Sequence, residues 1–588
     1  MDDRLLDRLR RELVFHQGAW PGFEAIRNPE DWLVFADALL EEGDERGALI
    51  HALHRYYQSE DVRQRAHAIG LQRDKPWLSS QSLDLGSTIL PQVACGFAVS
   101  VGRSVDTLKA TVNQLDHRDA RLIAILDLDV DQGDPDAIVA AFTEAKALHR
   151  LRGLRLHGRG AEGLLARLIG IPNLAGIELF VGRVTSSDLE SLAKGPWRLH
   201  SANLWHTGPD AQALSLSNAK GLAVLERLRL TDRSETLVAG LAQSGSCPKL
   251  RELRLRGIGS EASRAVAGGG LPALERVEAR GFDGSIQDLV ALMTSPALPR
   301  LTELSLRNEG PKSEQGGLTL RLSARGLEPA ALAQLAASGA LARVRVIDLG
   351  VHLVSRAWRM GPEGLEGRGL EALLTADLGA LEELRLVTNA LRADAMPALG
   401  QAFVPRLTLL DLSNNPLGIE GVQILVDSPL ARQLRHFALM RVGLGLEGLE
   451  RLAASPNLAG LRVLHLGDEN LPVEAADILA TSPHLRPHEL RFSPYKIALP
   501  SLKTLATSPV MSQVRRLGMP LSALGSAGLE TLIQSPVLRN LEVVDFGESG
   551  GLDSRADEPA RELLKQALSA WPCLQDIRGV SEDAWVTS

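Results

Sequence analysis

The sequence predicts an α/β solenoid: a curved parallel sheet inside, helices outside, and a small helical domain at the N-terminus. Three observations predict it. Leucine-like residues recur on a fixed step, each step opens on a period-two alternation, and most steps then carry a helical stripe. One inward position used as a ruler gives Leu384, Leu410, Phe437, Leu464, Leu490, Leu517 and Val544, in steps of 26, 27, 27, 26, 27 and 27 residues. Upstream it runs through Ile177, Ala202, Leu228, Leu253, Val277 and Leu304, preceded by Leu126 and Leu154, with Leu83-Asp84-Leu85 as an earlier candidate strand. A length of 588 residues alone suggests several domains. The ruler replaces them with one array, because a single unit cannot bury its own apolar face and stacking creates the core.

Each unit follows from its spelling. In Leu410-x-Leu412 the two leucines share one face of a short strand and the residues between face outward. The stretch Glu420–Val426 has helical spacing. Helices then stop at Ser-Pro, as at Ser295-Pro296, Ser428-Pro429, Ser455-Pro456, Ser482-Pro483, Ser508-Pro509 and Ser535-Pro536, since proline cannot continue them. Residues 1–75 lack the ruler and read as helices, with Asn28 and Pro29 opening one of them. The expected organisation is a helical domain over 1–75, a solenoid over 76–555 and a C-terminal cap over 556–588. The ruler breaks between Leu304 and Ile347 and between Ile347 and Leu384, which predicts insertions near 308–325 and 351–361; Thr319–Leu322 is a candidate extra strand.

The pattern L-x-x-L-x-L-x-x-N-x-L, spelled by Leu381-Leu384-Leu386-Asn389-Leu391 and again by Leu407-Leu410-Leu412-Asn415-Leu417, resembles the leucine-rich repeat family. The resemblance covers nearly all of residues 78–580, and the period with helical second halves resembles its ribonuclease-inhibitor-like class. Trp32–Ile50, with Asp37, Glu41, Gly43-Asp44 and Arg46-Gly47, is similar to a bacterial repeat-companion domain found N-terminal to such repeats, with Ala38 where that pattern has Trp. That likeness implies a bacterial source and no known activity. Asp37, Glu41, Asp44 and Arg46 are a candidate site there; the plainer expectation is a helix stop at Gly43 with solvated charges.

Composition narrows the function. Hydrophobic residues make up 45% and aromatics 4%, which suits a leucine-stacked interior. A net charge of −8 argues against general nucleic-acid binding. The N-terminus lacks a signal-peptide pattern, no stretch is apolar enough for the bilayer, and the three cysteines are scattered. The expectation is a cytoplasmic, monomeric protein without membrane contact, metal or cofactor. Gly158–Gly163 spells G-x-G-x-x-G, but Gly443–Gly448 repeats it, so these glycines belong to the strand-to-helix corner. Cys573 is expected to be a buried apolar residue, and His157, His206, His436 and His465 show no ligand spacing. No catalytic constellation is visible, so no enzymatic activity is expected.

The outward strand positions carry the functional expectation. Phe180 and Trp205 are neighbouring aromatics in a chain poor in them. Arg229, Arg254, Arg256, Arg280 and Arg307 fall on adjacent units, with Glu252, Glu278 and Glu303 among them, and Arg356, Trp358 and Arg359 lie in the second insertion. Clustered arginines make bidentate bonds to carboxylates or phosphates. The leading expectation is a protein-binding scaffold for a partner with an acidic surface; the alternatives are a regulator of a small GTPase, as some ribonuclease-inhibitor-like repeat proteins are, and polyanion or RNA binding.

Overall fold

A strand of alternating inward and outward side chains can stack on its neighbour only in registers that keep the inward set together, and this rule organises the chain. The computed structural model describes residues 3–15, 26–59, 67–68, 71, 92–94, 97–104, 122–129, 134–144, 151–157, 164–168, 171, 178–181, 183–184, 201–206, 222–230, 235–306, 318–322, 328–350, 364–467, 475–492, 498–547, 562–564, 566–567 and 570–578. Two compact units result, one from Met1–Ser59 and His67–Leu301, the other from Glu60–Ala66 and Thr302–Ser588.

The first unit opens with helices α1 (Asp3–Phe15), α2 (Pro29–Glu41) and α3 (Arg46–Ser59). Leu9 and Leu13 of α1, Trp32 and Phe35 of α2 and Ile50 of α3 share one core with Leu122, Ala124 and Ile125 at the first parallel strands. The helices therefore bury apolar side chains at the start of β3, which has β2 and β4 as its neighbours in the sheet. Arg8 holds Asp31 through two bonds of 2.7 and 2.8 Å, tying α1 to α2, and Arg152 pairs with Asp7 of α1. The strands are β1 (Gln92–Ala94), β2 (Phe97–Ser104), β3 (Ile125–Asp129), β4 (Gly153–His157), β5 (Glu178–Val181), β6 (Arg183–Val184), β7 (Ser201–His206), β8 (Arg227–Leu230), β9 (Glu252–Leu255) and β10 (Arg276–Ala279). They form hydrogen-bonded ladders β1–β5 and β6–β10, parallel except for the antiparallel β1–β2 pair. Leu83–Leu85 lies outside the described residues.

The ruler holds at Leu126 opposite Leu154, and at Ala202, Leu228, Leu253 and Val277, each opposite the next. It slips once. Leu154 faces Leu179, not Ile177. A two-residue slip keeps every side chain on its own face, so alternation alone does not distinguish the registers.

The second unit stacks β11 (Glu303–Leu306), β12 (Leu318–Leu322), β13 (Val344–Asp348), β14 (Glu383–Arg385), β15 (Leu409–Asp411), β16 (His436–Met440), β17 (Val463–Gly467), β18 (Glu489–Phe492), β19 (Arg516–Gly518), β20 (Val543–Asp545) and β21 (Asp576–Arg578) in chain order. Leu304 pairs with Leu320, and Leu320 with Ile347, so part of the stretch expected as an insertion is a full rung of the sheet. Ile577 pairs with Val544, which carries the ladder into the segment expected to be only a cap. Residues 351–361 lie outside the described residues.

Polar ladders run beside the leucines. The buried Asn415 side chain donates to the carbonyls of Leu386 and Leu412, both at 2.8 Å, and accepts from the backbone N–H groups of Asn389 (2.8 Å) and Leu391 (3.1 Å). One amide thereby satisfies backbone groups of two consecutive units. The serines of Ser-Pro do more than end helices. Ser295 donates to Ala267 O (2.6 Å), Ser455 to Val426 O (3.2 Å), Ser482 to Ala453 O (2.5 Å) and Ser535 to Ala506 O (2.5 Å), each in the last turn of the preceding unit's helix. These carbonyls have no intrahelical partner, so the hydroxyls both cap and stitch. Gly418, Gly443 and Gly445 turn the strand-to-helix corner with φ of 65°, 71° and 61°, where a side chain is disfavoured.

Replacing Asn415 with Leu leaves two N–H groups and two carbonyls without partners in a dry interior. We expect a loss of about 3 kcal/mol or more in urea unfolding. A loss below about 1 kcal/mol would show that the asparagine ladder is dispensable.

Candidate functional site

Strands β8, β9 and β10 present two rows of outward side chains. One row is Arg227, Glu252 and Arg276; the next is Arg229, Arg254 and Glu278. Their inward partners Leu228, Leu253, Leu255, Val277 and Ala279 are buried, which fixes the strands and so the rows. Just past the strands stand Arg256 and Arg280; the Arg280 N–H donates to Leu255 O at 3.2 Å, which keeps the two in step one strand apart.

The six guanidinium groups are not equivalent. Arg254 pairs with Glu252 and, at 3.1 Å, with Glu278. Arg276 lies 3.9 Å from Glu252. Arg254, expected as an anchor, is therefore largely neutralised within the sheet. Arg229, Arg256 and Arg280 are exposed and make no ion pair among the described residues. At the ~4.8 Å strand spacing, the cost of holding two such charges side by side in water is only about 1 kcal/mol. A carboxylate bridging them gains from both.

The remaining expected residues are placed as follows. Phe180 sits in β5 opposite Arg155, and Trp205 in β7 opposite Arg183. Arg183, rather than Phe180, is the residue opposite Trp205. Arg307, Arg356, Trp358 and Arg359 lie outside the described residues.

In the helical segment, Asp37, Glu41, Asp44 and Arg46 do not converge. Asp44 and Arg46 form a buried pair at 2.6 Å, Asp37 instead bonds His51 at 2.8 Å, and Glu41 is exposed. Gly43 adopts φ 73°, and a Cβ on Gly47 would lie 2.3 Å from Ala36 O. The motif builds a tight α2–α3 corner. Burial, with the charges of His51 and Arg55, lowers the pKa of His54.

The outward face of the second unit behaves differently. Ser305, Thr319, Arg321, Asp348 and Glu383 are buried although alternation points them outward. Arg321 pairs with Glu303 and Arg385 with Glu383 (2.7 Å). Burial raises the Glu383 pKa against the opposing pull of Arg385 and Arg321. Further along, Arg491 reaches across Gly518 to Asp545 at 2.5 Å; a Cβ on Gly518 would come within 3.1 Å of the Arg491 chain.

A second grouping went unseen in the sequence. His436 and His465, on adjacent strands, have ring centroids 4.8 Å apart; His465 bonds Glu489 at 2.9 Å, and Glu489 lies 3.7 Å from Arg516. The signal was a diagonal, one rung and two residues apart. Burial, with His465 beside it, pushes the His436 pKa down to about 3. For Glu489 burial works upward, but the His465 hydrogen bond and the charges of His465 and Arg516 outweigh it and hold the carboxyl below its usual range.

Among the described residues no group of three His, Cys, Asp or Glu is placed to hold a metal ion, and no described helix is long and apolar enough to cross a membrane. Burial pushes the Cys247 thiol up to about 11. Cys573, expected to be buried, is exposed, because Trp571 and Leu574 take the core positions of that turn.

Short in-register parallel strands recurring with helices at a 26–27-residue step define a leucine-rich repeat solenoid. No family model and no curated protein matches the chain. Among solved structures it is similar to the yeast Rad7 and Elc1 complex, at TM-score 0.37 and 14% identity over 60% of this chain and 85% of that one. It is also similar to the mouse RP105/MD-1 complex, at TM-score 0.35 and 14% identity over 78% of this chain and 70% of that one. Neither likeness bears on function.

The buried imidazole makes a pH prediction. The folded pKa of His436 lies below the unfolded value of 6.5, so the unfolded chain binds the extra proton and stability falls as pH drops below about 6.5. The slope is at most about 1.4 kcal/mol per pH unit per group. His54 acts with the same sign, whereas Glu489 adds its loss only below its ordinary value of 4.5. His436→Leu should flatten urea stability measured between pH 6.5 and 4.5; an unchanged slope would contradict the assignment.

Proposed function

We propose that the chain is a non-catalytic protein-binding scaffold whose working surface is the sheet face of β8–β10, and that it docks an acidic segment of a partner protein. The single observation that carries this reading is that Arg229, Arg256 and Arg280 make no ion pair among the described residues. On the second unit's sheet face Arg321, Arg385, Arg491, Arg516 and Arg578 each have a carboxylate within 4.0 Å; among the described residues these three have none. Arg254, clamped by Glu252 and Glu278, acts as a rigid floor between them, and Trp205 lies on β7, two strands from β9.

The same carboxylates select the ligand class. Glu252 and Glu278 interrupt the basic surface, so a continuous phosphate backbone would pass over two negative charges. A peptide with discrete Asp or Glu residues avoids them. The surface thus fits an acidic protein segment better than nucleic acid.

The test is fluorescence anisotropy with a Glu-rich peptide and, alongside, duplex RNA. Reversal of two charges in R256E/R280E should weaken peptide binding at least tenfold without shifting Tm, while R254A has a smaller effect. Equal peptide binding by wild type and R256E/R280E, or preference for RNA, would overturn the proposal.

A further inference from the structure

We propose that the edge of the second unit formed by the first turns of three consecutive helical segments docks a basic, amphipathic helix of a protein partner. The segments are the turn Ala393–Ala395 and the helices Gly418–Asp427 and Gly445–Ala454. Gly421 lets the first two of these turns approach closely, and the second and third are at ordinary contact distance. A Cβ on Gly421 would meet Ala393 Cα at 3.2 Å, and one on Gly445 would lie 3.7 Å from Ile419 Cδ1. Ala393, Ile419 and Leu446, equivalent positions of successive units, are thereby set side by side.

Ile419 is 37% exposed and Leu446 42%, while Val422, Leu425, Leu449 and Leu452 on the same helices are buried. One residue further on, Asp394, Glu420 and Glu447 are all exposed. Asp394 and Glu420 make no ion pair among the described residues, and Glu447 has only a 3.9 Å approach from Arg451. The helix dipole accounts for an acid in each first turn. It does not account for large aliphatic side chains standing in water beside the acids. Exposed aliphatic side chains beside three acids, with Arg392 at one end and Arg451 near Glu447, give an apolar patch with an acidic bias, the mark of a docking surface.

The spacing and charge choose the occupant. Packed helices lie about 8–10 Å apart, close to the roughly 10.5 Å that seven residues rise along a helix. A helix laid across the edge therefore sets one leucine per heptad over Ile419 and Leu446 and its Lys or Arg residues over the acids. Anionic lipid and nucleic acid are repelled by the same acids. This surface shares no residue with the arginine face, and its test is independent of that one.

The probe is a helical peptide of heptad-spaced leucines with lysines elsewhere, measured by anisotropy on the full chain. Saturable binding is expected, weakened tenfold or more by I419S/L446S and likewise by E420K/E447K, and unchanged by R256E/R280E. A glutamate-for-lysine peptide and a serine-for-leucine peptide should not bind. Absence of binding by the leucine-lysine peptide, equal binding by I419S/L446S, or equal binding of the serine-lysine peptide would overturn the proposal. Thermal melts confirm that the exposed substitutions leave the fold intact.

Discussion

Everything in this chain depends on the in-register stacking of rungs that cannot stand alone. One strand and one helix bury too little apolar surface to offset their ordering, so each inward leucine is worth its burial only when the next rung supplies a facing leucine. The ladder of Leu384, Leu410, Phe437, Leu464 and Leu490, each opposite the next, is that requirement in structural form. The asparagine and serine ladders are subordinate to it. They satisfy the backbone groups that stacking removes from water.

Stacking also decides the electrostatics of the sheet face. Residues distant in sequence become neighbours across a strand spacing, so charge is read in rows. In the second unit the rows close on themselves: Arg385 with Glu383, Arg491 with Asp545, His465 with Glu489. In the first unit Arg254 is closed in this way, and among the described residues Arg229, Arg256 and Arg280 are not. Solvent-exposed pairs are individually worth about 0–1 kcal/mol, so unpaired arginines cost the fold little and remain available to a ligand.

The ladder was legible in the sequence because period-two alternation and a fixed step are both written in leucines. The rung at Leu320 was legible only as a candidate extra strand inside an insertion, since 16 residues separate it from Leu304, and the β5 slip was invisible because a two-residue shift leaves the alternation unchanged. Cys573 was misjudged because residue type says little about which residues of a turn point inward. At the candidate site, residue rows could be listed from the ruler, but which arginines pair with Glu252 and Glu278 depends on side-chain reach. The His436–His465 contact escaped for a related reason: it runs diagonally between rungs, where a column-by-column reading does not look.

The central claim is that the strand register makes Arg229, Arg256 and Arg280 one anion-seeking surface. Photo-crosslinking from a diazirine-bearing Glu-rich peptide, mapped by mass spectrometry, tests it most directly. Crosslinks confined to peptides spanning 227–231, 252–256 and 276–280 are the expected result. Crosslinks distributed over other strands, or on the second unit alone, would contradict it.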